Sequence, residues 1–137
     1  GKLSAYALVL EIDTISRFPT VRHFHSYCRL VPGADNSAGK VRHKRSRDGN
    51  RYLKQVFHTA AIRAAQYHPA IRQEYRRLSR RKGKIVARAL IAKELASIVY
   101  WVLRKQEAFN GKFRGHVLTA KPAVWPRLAS PERLTDA

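Results

Sequence analysis

Apolar positions recur at helical spacing along most of this chain, and the breaks between the runs divide it. Leu3 to Ile12 is apolar and predicts a helix that ends near Asp13 and Thr14. Phe18 and Pro19 mark the turn into a second helix, capped by Thr20, running to about Arg29 and stopped by Pro32 and Gly33. Leu53, Phe57, Ala60, Ala61 and Ala64 fall three or four apart and predict a third helix from about Asn50 to Tyr67, closed by His68 and Pro69. Ala70 to Arg81 repeats the pattern weakly through Ile71, Tyr75 and Leu78. Gly83 then separates it from the longest run, Lys84 to about Gln106. That run is apolar on most of its surface through Ile85, Ala89, Ala92, Ala96, Val99 and Leu103, with Leu90, Leu95 and Ile98, so it is expected at the centre.

Two stretches lack this period. Gly33 to Gly49 gives way from Gly, Asp, Asn and Ser to a cluster of cations, and predicts a loop with a short extended piece. After Phe109 the period fades, and Gly111 to Ala137 is expected as a loosely ordered or partner-docked tail. The fold class that follows is mainly α: a single helical domain over residues 1–110, with a basic loop between its second and third helices and a C-terminal tail over 111–137.

Length and charge narrow the function. A chain of 137 residues with 45% hydrophobic content supports one core and does not divide comfortably into two. Its formal charge of +19, from 28 Lys and Arg against 9 Asp and Glu, exceeds what solubility asks and would repel itself without a polyanion nearby. The cations gather in two runs, Lys40 to Arg47 and Arg76 to Lys84, which fit two phosphate-tracking surfaces or one wide one; charge runs also serve as solvated faces or disordered arms. Repulsion on this scale predicts mobility from Ala34 to Asp48 until nucleic acid arrives.

Several classes of chemistry drop out. One cysteine, Cys28, allows no internal disulfide framework and no thiolate zinc cluster, and a cytoplasmic protein is expected. His23, His25 and Cys28 sit close in sequence, but helical positions two apart point about 200° from each other and a closed zinc site needs converging ligands. The acids are scattered, so no paired carboxylates suggest a self-sufficient metal nuclease. No apolar run is long enough to cross a bilayer, because Ile85 to Leu103 contains Arg88, Lys93 and Glu94. Tyr52, Tyr67, Tyr75, Tyr100 and Trp101 could stack bases, yet they fall within helical patterns and read as structural. The chain contains no methionine and is expected to be a processed product or a piece of a longer one.

The most informative segment is Asn36-Ser37-Ala38-Gly39-Lys40, a small-residue turn that presents a hydroxyl at the start of the first cationic run. A serine attacking a phosphodiester wants backbone amides and cations near the scissile phosphate, to attract DNA and to neutralise charge in the transition state. The same residues also make an ordinary turn.

At this segment the chain resembles the bridge-RNA-guided insertion-sequence transposases, the IS 110 / IS 116 / IS 902 family. The matching residues are Glu11-Ile12-Asp13 and Ile15-Ser16-Arg17-Phe18; Tyr27 with Leu30-Val31-Pro32; Ser37-Ala38-Gly39-Lys40-Val41-Arg42; Gly49-Asn50-Arg51-Tyr52-Leu53-Lys54; and the long helix from Gly83-Lys84-Ile85 to Tyr100-Trp101-Val102-Leu103. The resemblance implies a DNA strand-exchange enzyme in which Ser37 attacks a phosphodiester and holds the cut strand as a phosphoserine. It implies further that a separate resolvase-like domain supplies carboxylates for a divalent metal such as Mg, with no cofactor bound by this chain itself. The implied partners are donor and target DNA, a structured guide RNA that selects both, and further copies of the protein on DNA. Lys40, Arg42, His43, Lys44, Arg45, Arg47, Asn50 and Arg51 are the loop and helix-start residues expected at phosphates, with Arg76, Arg77, Arg80, Arg81, Lys82 and Lys84 as the second set. The rival expectation is a non-catalytic helical nucleic-acid-binding module or a decayed transposase.

Overall fold

The computed structural model describes residues 1–31, 33–37, 40–44, 49–113 and 116–117. Five helices carry the fold among them: α1 (Lys2–Ile12), α2 (Val21–Tyr27), α3 (Arg51–Tyr67), α4 (Pro69–Lys82) and α5 (Lys84–Lys105). A single 3-10 turn, Ile15–Arg17, lies between α1 and α2. The stops are those the residues dictate. Thr20 accepts the His23 amide hydrogen bond and caps α2, and Pro69 opens α4, where its missing N–H leaves nothing unpaired. Gly83, at φ 89°, makes the joint between α4 and α5.

α5 is central, in contact with α2, α3, α4 and the 3-10 turn. Its buried residues are Ala87, Ile91, Ala92, Ala96 and Tyr100, and the three alanines let neighbouring helix backbones approach closely. Only part of the apolar surface read from the sequence is buried. Ile85 is 75% exposed and Leu103 is 41% exposed, while Ile91 and Tyr100 fill the core. A helix apolar nearly all round has no preferred side of its own, so the packing of α3 and α4 chooses it. The core continues through Phe24, Leu53, Phe57 and Ile71. Phe24 meets Phe57 edge-on at 6.1 Å between centroids and Phe18 at 5.2 Å. The Tyr100 hydroxyl donates to the Phe18 carbonyl at 3.0 Å, which satisfies its polar end inside the core.

Two features depart from the sequence reading. Residues expected as a loop with a short extended piece form two full strands, β1 (Gly33–Ser37) and β2 (Lys40–Lys44), paired antiparallel. In the first residues of the segment expected as tail, β3 (Lys112–Phe113) pairs with β4 (His116–Val117), and Phe113 is buried. Residues 118–137 lie outside the described ones. Of the aromatics read as structural, Tyr100 is buried and Tyr75 packs on the core, but Tyr52, Tyr67 and Trp101 are exposed. α1 packs on α3, yet Leu3, Tyr6, Val9 and Leu10 face solvent.

Candidate nucleic-acid interface and serine hairpin

The serine hairpin grows from the end of α2 and returns to the same place. At the outgoing side, the Leu30 amide bonds the His25 carbonyl at 3.0 Å, and Arg29 takes a left-handed backbone at φ 56° that turns the chain off the helix axis. On the return, the Asn50 amide donates to the Tyr27 carbonyl at 2.6 Å and Arg29 Nε donates to the Gly49 carbonyl at 3.2 Å. Gly49 sits at φ 102°, and a Cβ there would meet the Tyr27 carbonyl oxygen closer than 3.0 Å. Only glycine lets the returning strand pass this close to α2.

Asn50 closes the junction. Its Oδ1 accepts the Tyr52 and Leu53 amides at 2.9 and 3.0 Å, capping α3, while Nδ2 donates to Glu11 Oε2 at 2.5 Å. The residue expected at a phosphate therefore has its side-chain amide committed to the fold, tying the ends of α1 and α2 to the start of α3. Glu11 was legible only as part of the family resemblance, and nothing in its spacing announced this contact.

Between these anchors the strand register is Gly33 with Lys44, Ala34 with His43, Asp35 with Arg42, Asn36 with Val41 and Ser37 with Lys40. Ser37 thus ends β1 at the closed end of the hairpin, and β2 returns from it through Lys40, Arg42, His43 and Lys44. Ala38, Gly39, Arg45, Arg47 and Asp48, with part of the stretch expected to be mobile, lie outside the described residues. Arg51 opens α3, exposed, with its guanidinium 5.1 Å from the Tyr52 ring centroid; the hydrogen bond to the Tyr52 hydroxyl raises its already high pKa.

The second cationic set lies on α4. Arg72, Arg76 and Arg80 recur four residues apart, about 6 Å along the helix axis, and share an exposed groove with Arg77 and Arg81. Arg77 is partly neutralised by a two-pronged contact to Glu74 at 2.7 and 2.8 Å. Lys82 ends α4 and Lys84 begins α5, both exposed. Of the first set of expected residues, Lys40, Arg42, His43 and Lys44 thus fall on β2 and Asn50 and Arg51 at the start of α3; of the second, all but Lys84 fall on α4. Arg72 belongs with the second set, and its four-residue step to Arg76 could have revealed it.

The histidines and the cysteine near α2 face separate partners. His23 Nδ1 lies 2.6 Å from Thr20 Oγ1, and the buried His25 has Nε2 2.8 Å from Ser97 Oγ. Burial, aided by the nearby Lys93 charge, lowers the His25 pKa to about 4, and burial pushes the Cys28 thiol up to about 12. Among the described residues no group of three or more His, Cys, Asp or Glu could hold a metal ion. No helix of the described residues is long and apolar enough to cross a membrane.

Comparison with known proteins places this geometry. No solved structure matches the chain. It is 31% identical over 107 residues to an insertion element IS110 uncharacterized 43.6 kDa protein of Streptomyces coelicolor, a match that covers 76% of this chain and 26% of that protein. The chain thus spans about a quarter of that relative's length. Residues 1–76, from α1 through the hairpin into α4, match the model of the transposase IS116/IS110/IS902 family. With more than half of its length matched, and the serine hairpin inside the match, the chain belongs to the IS116/IS110/IS902 transposase family.

Proposed function

We propose that this chain is the serine-bearing domain of a DNA transposase and that Ser37 is its nucleophile. The observation that carries the reading is the register of the hairpin, which sets Ser37 opposite Lys40 at the closed end and leads back through Arg42, His43 and Lys44. A residue at the end of a strand, in a connection between helices, is a more common place for a reacting group than the interior of a helix.

In the step proposed, Ser37 Oγ attacks the phosphorus of a phosphodiester. The Oγ–P bond forms, the P–O bond to one sugar breaks, the hydroxyl proton leaves to a base, and the departing sugar oxygen takes up a proton. The reverse attack by a sugar hydroxyl of another strand completes exchange and frees the serine. An ordinary serine needs its hydroxyl activated and the extra negative charge on phosphorus offset. The cations of β2 and of the segment that follows serve the second need. Any divalent metal would be held by carboxylates of another domain or subunit, and no step here runs through it. Donor and target DNA, a guide RNA and further copies of the protein complete the proposed assembly.

A second reading, a basic binding module without chemistry, draws on the Arg72, Arg76 and Arg80 row, which can track phosphates with no help from a serine. The two separate on covalent trapping. The chain is mixed with a carboxylate domain, divalent metal, guide RNA and labelled DNA, and a denaturation-resistant adduct is sought for the native chain and for Ser37→Ala. The adduct is expected with the native serine only, with DNA binding intact in the variant. An adduct in Ser37→Ala, or none from the native chain where an intact homologue gives one, would refute the catalytic reading.

A further inference from the structure

Arg88, on the second turn of α5, lines a groove of about 570 Å³ between α3, α4 and α5. Ala61, Ile62, Ala65 and Gln66 form one wall, and Arg72, Tyr75 and Arg76 the other. Its Nε is sealed from solvent and has no hydrogen-bond partner among the described residues. A buried guanidinium nitrogen without an acceptor is costly, and native proteins rarely keep one without a use. Packing alone does not explain it, because an uncharged side chain of similar length would fill the same space without that cost.

The rest of the groove has the same character. Arg72 donates through Nε to the Ala65 carbonyl at 3.1 Å and through a terminal nitrogen to the Gln66 carbonyl, which fixes its guanidinium over the end of α3. Arg76 stands one turn further along α4. Among the described residues, no ion pair joins Arg72, Arg76 or Arg88 to a carboxylate; the acid on this helix, Glu74, is paired with Arg77. Burial holds the His58 imidazole below its ordinary pKa, and the Arg88 and Lys54 charges push it the same way, so the positive potential extends to α3. Three guanidinium groups around one groove, one of them held in place and one with a buried Nε that lacks an acceptor among the described residues, make a site for an oxyanion.

We propose that this groove binds a phosphate of the nucleic-acid backbone, with Arg88 as its central contact and Arg72 and Arg76 flanking it. The inference rests on the nucleic-acid reading above and adds a site that the serine hairpin does not contain. Arg88 also lies beyond residue 76, where the family match ends. On binding, the guanidinium turns about its terminal torsions, and a phosphate oxygen supplies the acceptor that Nε lacks. Arg80 and Arg81, further along α4, then follow the same strand.

The test is equilibrium binding of fluorescent duplex DNA and of a fluorescent RNA hairpin across a range of salt, with native chain, Arg88→Gln, Arg88→Lys and Lys2→Gln. Arg88→Gln is expected to lose about tenfold in affinity for the nucleic acid that uses the groove. On duplex DNA its log K against log salt should be shallower by about 0.9, the signature of one lost phosphate contact. Arg88→Lys, which keeps the charge and loses the planar fork, should fall between. Lys2→Gln, an equal loss of charge outside the groove, should change affinity less than twofold. A loss on DNA alone or on RNA alone identifies the strand that occupies the groove. Thermal unfolding should show Arg88→Gln at least as stable as the native chain, since the change removes an unpartnered buried group; should it fail to fold, Arg88→Lys carries the test. Native affinity and salt slope in Arg88→Gln on both probes, or an equal loss in Lys2→Gln, would overturn the site while leaving the nucleic-acid reading standing. Failure of the native chain to bind either probe would overturn both.

Discussion

Replacing Gly49 by alanine tests whether the hairpin junction holds the fold. The new Cβ would press on the Tyr27 carbonyl oxygen at under 3.0 Å and lie 3.1 Å from the Ser26 carbonyl oxygen, both of them backbone atoms at the end of α2. Neither can swing aside as a side chain would. The backbone at φ 102° adds strain of about 1 to 3 kcal/mol for a residue with a Cβ. Relieving the overlap means parting the Asn50 amide from the Tyr27 carbonyl, a further cost of about 1 kcal/mol. The sum is about 2 to 4 kcal/mol. Gly83→Ala is the internal control, because φ 89° imposes similar backbone strain while its Cβ would meet nothing within 4 Å. The entropy gained by stiffening the unfolded chain is common to both variants and cancels in the comparison. Urea unfolding followed by far-ultraviolet circular dichroism gives the difference directly. The strain is common to both, so the difference is the cost of about 1 kcal/mol at the Tyr27 contact, and with a slope of about 1 to 1.5 kcal/mol per molar urea Gly49→Ala should unfold at a midpoint about 0.7 to 1 M below Gly83→Ala. Equal midpoints would mean that the junction yields freely, and the argument for a fixed hairpin base would fail.

Two further outcomes follow from buried groups. His25 ordinarily titrates near 6.5 but is lowered to about 4 in the fold, so the unfolded chain binds more protons between those values. Its contribution is complete above pH 6.5 and is lost as pH falls through 4, at most about 3 kcal/mol. Urea midpoints of the native chain should therefore drop between pH 7 and pH 4.5 more steeply than those of His25→Asn, and parallel profiles would refute the assignment. Phe113 is 1% exposed, and Phe113→Ala should cost about 3 to 5 kcal/mol in the same unfolding measurement; a change below about 1 kcal/mol would mean that Phe113 adds little to the core.

The helices were legible because each carries its own signal: a three-to-four apolar step in α3, a polar cap at Thr20, proline at the head of α4 and glycine between α4 and α5. The hairpin was not. Gly-Ala-Asp-Asn-Ser and Lys-Val-Arg-His-Lys have no apolar face to alternate with a polar one, so the period of two that marks a half-buried strand is missing, and only the pairing of one strand with the other defines them. The buried side of α5 was hidden for the opposite reason, an excess of apolar positions. Ser37 stood out through the turn and the cations around it. Arg88 did not, because a lone arginine in an apolar helix looks like a solvated charge until α3 and α4 close around it. Asn50 was noticed for its place beside the basic run, while its partner Glu11, 39 residues earlier, depends on a tertiary contact that no local pattern encodes.

Leaving from α2 and returning to it at Tyr27, the stretch that bears Ser37 is a closed excursion, with its start and finish fastened to one point of the helical base. Residues added to such an arm stretch no helix and open no core; doubling its length adds only about 0.6 kcal/mol of closure entropy. The length of the arm is thereby uncoupled from the stability of the scaffold. Arms of different lengths can be grafted between Leu30 and Gly49 on an unchanged base, each delivering its tip to a different depth.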